Sequence, residues 1–503
     1  MKRQLLPLLL AIVLVLCSCT PSRTARKNDE ASSIKSSLSE TSEAPIDTAT
    51  KLRIWIIDET PAQLGEYSPL SGSEGNYIET ALEKYAAQNN LDLKINYAYT
   101  QDSIPGPSDL IVLGDAADLQ YRLSAEDYLD LTPYFEQDEI YSSGNYIEPV
   151  LKAGIQDDMQ FAFPLAFNLS VLYTSQEALD RHQLSIAQGD SFDELVTTFT
   201  NEFNNLSRPA DEALLMGYAP WPSLSSIYRY FNSASGVAMI DPETNQPVLD
   251  LAYFNQLLNL YEAYAYNNFQ CDRSFFAQYI DMAFVMTADQ SKWHTLNTLA
   301  DPYNGAGFNG IADQTACFFE IYENYHSNYL QSFVAQAAYY ESRYTDLEEE
   351  FLCIGVPEKE NANSYAANVT LCGLIPANSR YPAESYQLLK ALADTPIPWY
   401  CGVSANRTNM DAMFETLTTT TIDVQLAGCE TELSPYSMKP MSRETADYLR
   451  SMIEQIHTAH LPMSYFYTDL DETLSSYLAD ADMTEDEIYT KVLKALEWYI
   501  MLS

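Results

Sequence analysis

Acidic, amide and aromatic residues gather just after the apolar runs of this chain. Asp58 and Glu59 close the run that starts at Leu52, and Asp115 follows Asp109–Leu113. Phe167 and Asn168 lie inside the long apolar stretch Phe161–Thr174. Trp221 follows the run Ala213–Ala219, and Tyr228 lies further along the next helical stretch. Tyr322 and Asn324 come after Ala316–Glu320, Tyr365 stands just ahead of Val369–Ile375, and Asn406 sits in a late loop. In open α/β sheets, ligands sit beyond the carboxyl ends of the strands. These residues are therefore the candidate ligand contacts. Their chemistry suits a sugar, whose apolar C–H faces stack on rings and whose hydroxyls bond to carboxylates and amides. Stacking adds roughly 0.5–1.5 kcal/mol beyond burial for an aromatic pair. A hydrogen bond to a charged group contributes about 1.5–3 kcal/mol. Each residue also has an ordinary reading. Trp221, between Pro220 and Pro222, suits a cleft platform or packing equally, while Trp55, Trp293 and Trp399 lean towards packing. Any one of the 70 acids is more often a solvated surface charge.

No catalytic signature stands beside them. The sequence has no HExxH, no GxSxG, no P-loop and no GxGxxG in a strand–helix setting. His457 and His460 are read on a helical stretch before Leu461–Pro462, spaced for one face but with no third ligand near in sequence. The expectation is no catalytic residue, no metal and no cofactor. A glycosidase needs only two carboxylates, so an enzyme stays open as an alternative, as does a sensor.

The ends of the chain speak to compartment. Met1–Arg3 is a basic start, and Leu5–Leu16 is an apolar stretch too short to span a membrane comfortably. Leu16-Cys17-Ser18-Cys19 has the form of a lipobox, with Cys19 the expected lipidated residue. Residues 1–18 then form a signal peptide, and 19–50, rich in Ser, Thr, Ala and Glu, a tether that cannot bury enough surface to fold. Such a chain is anchored on the extracytoplasmic face of the cell membrane by lipid alone. The formal net charge of −43 argues against nucleic acid and anionic lipid as partners. Of eight cysteines, Cys271, Cys317, Cys353, Cys372, Cys401 and Cys429 remain in the body, with no CxxC and no pairing that sequence can assign.

The remaining length suits two lobes. Leu52–Asp58, Leu91–Tyr99 and Asp109–Leu113 read as strands around a helix Glu74–Asn89, which builds an α/β lobe. In Phe161–Thr174, Pro164 donates no hydrogen bond and is expected at a sheet edge, ahead of a buried strand Asn168–Tyr173. Ser191 with Glu194, and Thr484 with Glu487, form capping boxes that start helices.

Several segments resemble the extracellular solute-binding proteins of ABC importers, the carbohydrate-type family 1 that includes maltose-binding protein. Leu129-Asp130-Leu131-Thr132-Pro133-Tyr134 matches that family's L-x-D-L-T-P-Y, and Ser191-Phe192-Asp193-Glu194-Leu195 matches its T-W-D-E-L. Phe163-Pro164 to Tyr173, Gly236–Leu249, Gly402–Arg407 and the C-terminal helix match in order, with Ser404 where a proline is usual. The resemblance implies a two-lobed type II periplasmic-binding-protein fold, each lobe a doubly wound sheet, joined by a three-segment hinge. It implies lobes 51–165 with 317–368 and 166–316 with 369–503, crossing near Pro164–Asn168, Ala316–Glu320 and Asn368–Leu371. It implies a monomer that captures a small solute, with carbohydrate favoured, and passes it to ABC permease subunits.

Overall fold

The computed structural model describes residues 51–57, 73–98, 106–114, 119–204, 215–216, 226–241, 244–269, 318–321, 333–346, 348–397, 402–426, 434–480 and 482–502. In chain order its strands are β1 (Lys51–Ile57), β2 (Asp92–Ala98), β3 (Leu110–Leu113), β4 (Ile155–Gln156), β5 (Met159–Gln160), β6 (Ala162–Leu169), β7 (Val171–Ser175), β8 (Leu215–Met216) and β9 (Ile240–Asp241). They continue with β10 (Gln246–Pro247), β11 (Phe318–Ile321), β12 (Phe351–Gly355), β13 (Tyr365–Leu374), β14 (Val403–Ser404), β15 (Ile422–Leu426), β16 (Ser434–Met438) and β17 (Ile456–His460).

Alternation along β1 and β3 builds a sheet covered on both faces. Leu52, Ile54, Ile56, Leu110 and Val112 pack into one core, with Ile78, Leu82, Phe135 and Leu389 from the covering helices. Ile57, Ile111 and Leu113 point into the other, with Phe414, Leu449 and Met452. Because successive side chains face opposite ways, one strand serves both cores. The sheet runs β14-β6-β13-β3-β1-β2, with β17 also paired to β13, and it is mixed: β1 is parallel to β2 and β3, while β13 is antiparallel to β3 and β6. A second sheet runs β12-β7-β11-β8. Helices Phe192–Phe203, Ser226–Ala234, Leu251–Phe269, Ser464–Ala479 and Glu485–Leu502 share a third core with Leu172 of β7 and Ile354 of β12. The molecule is thus α/β. Both expected capping boxes form. Ser191 Oγ accepts from Glu194 N while Glu194 Oε2 accepts from Ser191 N at 2.8 Å, and Thr484 and Glu487 repeat the exchange.

Among the described residues the chain passes three times between the first sheet and the body formed by the second sheet and the third core. It leaves β6 for β7 through Ser170, whose carbonyl accepts from Val356 N at 3.1 Å. It returns between β12 and β13, residues 356–364. It leaves again after β17 through Leu461–Met463 into the helix Ser464–Ala479. This corrects the expected return at Ala316–Glu320: β11 pairs with β7 and β8, so that segment stays in the second sheet. Asn368–Leu371, expected to cross, lies wholly inside β13 of the first sheet. Two short apolar strands carry the same composition whichever sheet takes them, and only the pairing decides.

Pro164 is corrected too. It lies in an interior strand, flanked by β13 and β14, and the whole of β6 is buried. The missing donor is tolerated because the pairing slips around it: β13 is irregular between Val369 and Leu371 and between Leu371 and Cys372, opposite Phe167 to Pro164. His457 and His460 stand on a strand, β17, where a helix is expected from their spacing.

Candidate binding site

A pocket opens beside the crossings. One wall belongs to the first sheet. In the register, Asn168 of β6 is opposite Asn368 of β13, and Asn368 is opposite His460 of β17. Neighbouring strands run about 4.7–4.9 Å apart, so two amides and an imidazole stand side by side in a row, and all three line the pocket. Thr370, in the irregular stretch of β13, lines it as well. Gly402 has φ +113°, and a Cβ there would lie 2.8 Å from Thr370 Oγ1, so the glycine leaves room for the hydroxyl.

The opposite wall comes from the third core. Asn232 and Ser233 end the helix Ser226–Ala234, Val237–Met239 follow it, and Tyr467 projects from Ser464–Ala479. A buried network sets this wall. Asn232 Nδ2 donates to the Tyr467 hydroxyl at 3.2 Å, and Asn232 Oδ1 accepts from the Tyr253 hydroxyl at 3.1 Å. The same Tyr253 hydroxyl stands 2.8 Å from Ser235 Oγ, so its one proton is shared between the two acceptors. Arg229, 2 % exposed, lies 5.0 Å over the Tyr467 ring and pairs with Asp471 at 3.0 Å. Gln120 and Tyr121 line the pocket too, with Ser170 and Leu461–Met463 from two of the crossings.

Burial holds the His460 imidazole below its usual pKa, and the Glu358 carboxylate pushes the other way. Glu358 is itself buried. It accepts from Ser364 Oγ at 2.6 Å and stands 3.2 Å from His457 Nδ1. Among the described residues, no group of three or more His, Cys, Asp or Glu is arranged to hold a metal.

Of the candidates read from sequence, Asn168 lines this pocket and four others sit elsewhere. Phe167 packs in the core beneath the sheet, because alternation turns it away from its neighbour Asn168. Tyr228 is 1 % exposed in the third core. Tyr365 is buried beside Gly355, with its hydroxyl bonded to Tyr448. Asn406 caps the helix Arg407–Thr419, accepting from Thr408 and Asn409 amides and donating to Asp394 at 3.2 Å. Asp58, Glu59, Asp115, Trp221, Tyr322 and Asn324 lie outside the described residues, as do Cys19, Cys271, Cys317, Cys401 and Cys429. Cys353 and Cys372 are buried free thiols. Asn232, His460 and Tyr467 were missed. Only register and helix packing bring them to Asn168, and no spacing in the sequence signals that.

No family model matches the sequence, and no curated protein matches it. Solved structures do. The galacto-N-biose-/lacto-N-biose I-binding protein of an ABC transporter from Bifidobacterium longum superimposes with TM-score 0.52 over 90 % of this chain and 98 % of that one, at 11 % identity. A family 1 extracellular solute-binding protein from Alicyclobacillus acidocaldarius gives TM-score 0.50 over 90 % and 98 %, at 10 % identity. The chain has the fold of the extracellular solute-binding proteins. In this solute-binding fold one wall of the pocket is carried by the first sheet and the other by helices of the third core, and Ser170 and Leu461–Met463 of the crossings line it. Among the described residues, no helix is long and apolar enough to cross a membrane.

Proposed function

We propose that this chain is the binding subunit of an ABC importer, non-catalytic, anchored through Cys19 to the extracytoplasmic face of the cell membrane, and that it captures a carbohydrate. The observation that carries the reading is the row Asn168, Asn368 and His460 facing the wall of Asn232 and Tyr467. Amides and a neutral imidazole both donate and accept, as hydroxyls do. A tyrosine ring offers the apolar surface that a sugar face requires. The structural neighbour from Bifidobacterium longum is seen with lacto-N-biose, which supports the same ligand class here. Asp58, Glu59, Asp115, Trp221, Tyr322 and Asn324 are proposed as further contacts at the strand ends.

The mechanism proposed is closure about the crossings at Ser170, residues 356–364 and Leu461–Met463. Such segments absorb the backbone rotation of hinge motion. A ligand touching both walls favours the closed form by its differential affinity, and the permease then recognises the closed form of the monomer. A thermal-shift screen against di- and trisaccharides, including lacto-N-biose and mannotriose, tests this. A binding sugar is expected to raise the melting temperature and to lower the radius of gyration in solution scattering. Asn368→Ala should weaken that sugar by about 1–2 kcal/mol. A panel of peptides that shifts melting while every sugar fails would remove the carbohydrate reading.

A further inference from the structure

Tyr121 has φ +63°. The other non-glycine residues of positive φ described here are Asn, Asp, Glu or Gln, so Tyr121 is the aromatic among them. Left-handed backbone is disfavoured for an L-residue with a bulky side chain. It persists only where the surroundings over-determine it, and such positions cluster at functional sites.

The surroundings here are specific. Leu119 N and Gln120 N both donate to the Pro462 carbonyl, at 2.9 and 3.1 Å. Gln120 Oε1 accepts from Leu461 N at 2.7 Å, and the Gln120 carbonyl accepts from the Tyr499 hydroxyl at 2.8 Å. Arg122 N closes the turn on the Leu119 carbonyl at 2.9 Å. The loop is thereby bound to the third crossing on one side and to the C-terminal helix on the other. Leu119 and Leu123, which flank Tyr121, belong to the first sheet's core, while Tyr121 itself packs against the third core and lines the pocket. The loop thus joins both bodies, with Leu119 and Leu123 in the first sheet's core and the Tyr121 ring on the third core beside the pocket.

We propose that Tyr121 is a ligand-contacting residue, its ring a wall for the apolar face of a sugar, and that the loop holds it in a strained backbone for that task. The assignment of a sugar rests on the function proposed above. Because the loop hangs on Leu461 and Pro462, pressure of a ligand on the ring is passed directly to the third crossing.

The test uses the mature protein with Tyr121→Asn, Tyr121→Ala and Tyr121→Phe, since asparagine tolerates left-handed backbone and alanine does not. Melting temperatures are measured without ligand and with the neutral di- and trisaccharide panel. Without ligand, Tyr121→Asn is expected to melt at or above the wild type and above Tyr121→Ala. A sugar that binds the wild type should bind Tyr121→Asn about tenfold or more weakly, and Tyr121→Phe almost unchanged. Tyr121→Asn melting several degrees below the wild type would make the ring a packing element and overturn the proposal, as would unchanged sugar affinity. If no sugar binds the wild type, the carbohydrate assignment falls for both proposals, and the ligand-free melting order alone decides the strained seat.

Discussion

His460 is the titratable member of the row that faces the pocket, and its protonation links the site to stability. Its burial disfavours the imidazolium, while Glu358 partly offsets that, and exposed His457 stands 3.2 Å from the same carboxylate. An unfolded histidine titrates near pH 6.5. The folded His460 takes its proton only at lower pH, so between the two the unfolded chain binds more protons. The stability held by the neutral form is full above about pH 6.5 and is lost progressively below it. The melting temperature of the wild type should therefore fall on acidification through that window, and His460→Gln should flatten the fall. Identical slopes for the two proteins would show that His460 does not carry it. The same residue scale explains why composition misplaced the candidates. Phe167 and Asn168 are adjacent in sequence, yet alternation sends one to the core and the other to the pocket.

At the scale of elements, the end of β12 is the place where packing and crossing meet. Gly355 N donates to the Tyr448 hydroxyl at 3.0 Å, and the chain leaves the second sheet at the next residue. A Cβ at 355 would lie 2.7 Å from Tyr365 Cε1 and would also strike Met452. The methionine can swing aside. Tyr365 cannot, because its backbone is fixed in β13 and its hydroxyl is bonded to Tyr448. Gly355→Ala should cost about 1–3 kcal/mol, the usual range for overpacking. Urea titration should show a lower midpoint with an unchanged slope. An unshifted midpoint would mean that the neighbouring strands yield more freely than their pairing implies.

Across the whole molecule, the excess of acids sets a background that no single pair offsets. With 70 Asp and Glu against 27 Lys and Arg, the chain repels itself when compact. Salt screens exposed charges over about 10 Å at 0.1 M, and buried pairs much less. Raising NaCl from about 10 mM to about 0.3 M is expected to raise the melting temperature, since repulsion among exposed acids weakens while Arg229–Asp471, with the arginine 2 % exposed, is little affected. A melting temperature that falls with salt would show that exposed attractive pairs outweigh the repulsion.

Local chemistry was legible from the sequence alone. Alternation over Leu91–Tyr99 marked β2, the apolar run Asp109–Leu113 marked β3, and helical spacing over Glu74–Asn89 marked the helix Ser73–Asn89. The Ser191 and Thr484 capping boxes form because their partners stand three residues away. The α/β class follows from the order of those elements. What tertiary structure alone decided is every pairing between distant segments: β11 with β7, β17 with β13, and the slipped register that admits Pro164 to an interior strand. The pocket depends wholly on these pairings. Asn168, Asn368 and His460 share a row by register, and Asn232 and Tyr467 meet through two helices far apart in the chain. Short apolar strands are interchangeable by composition. Which sheet each joins is settled by burial and shape complementarity in the folded core, and these are not properties of any single segment.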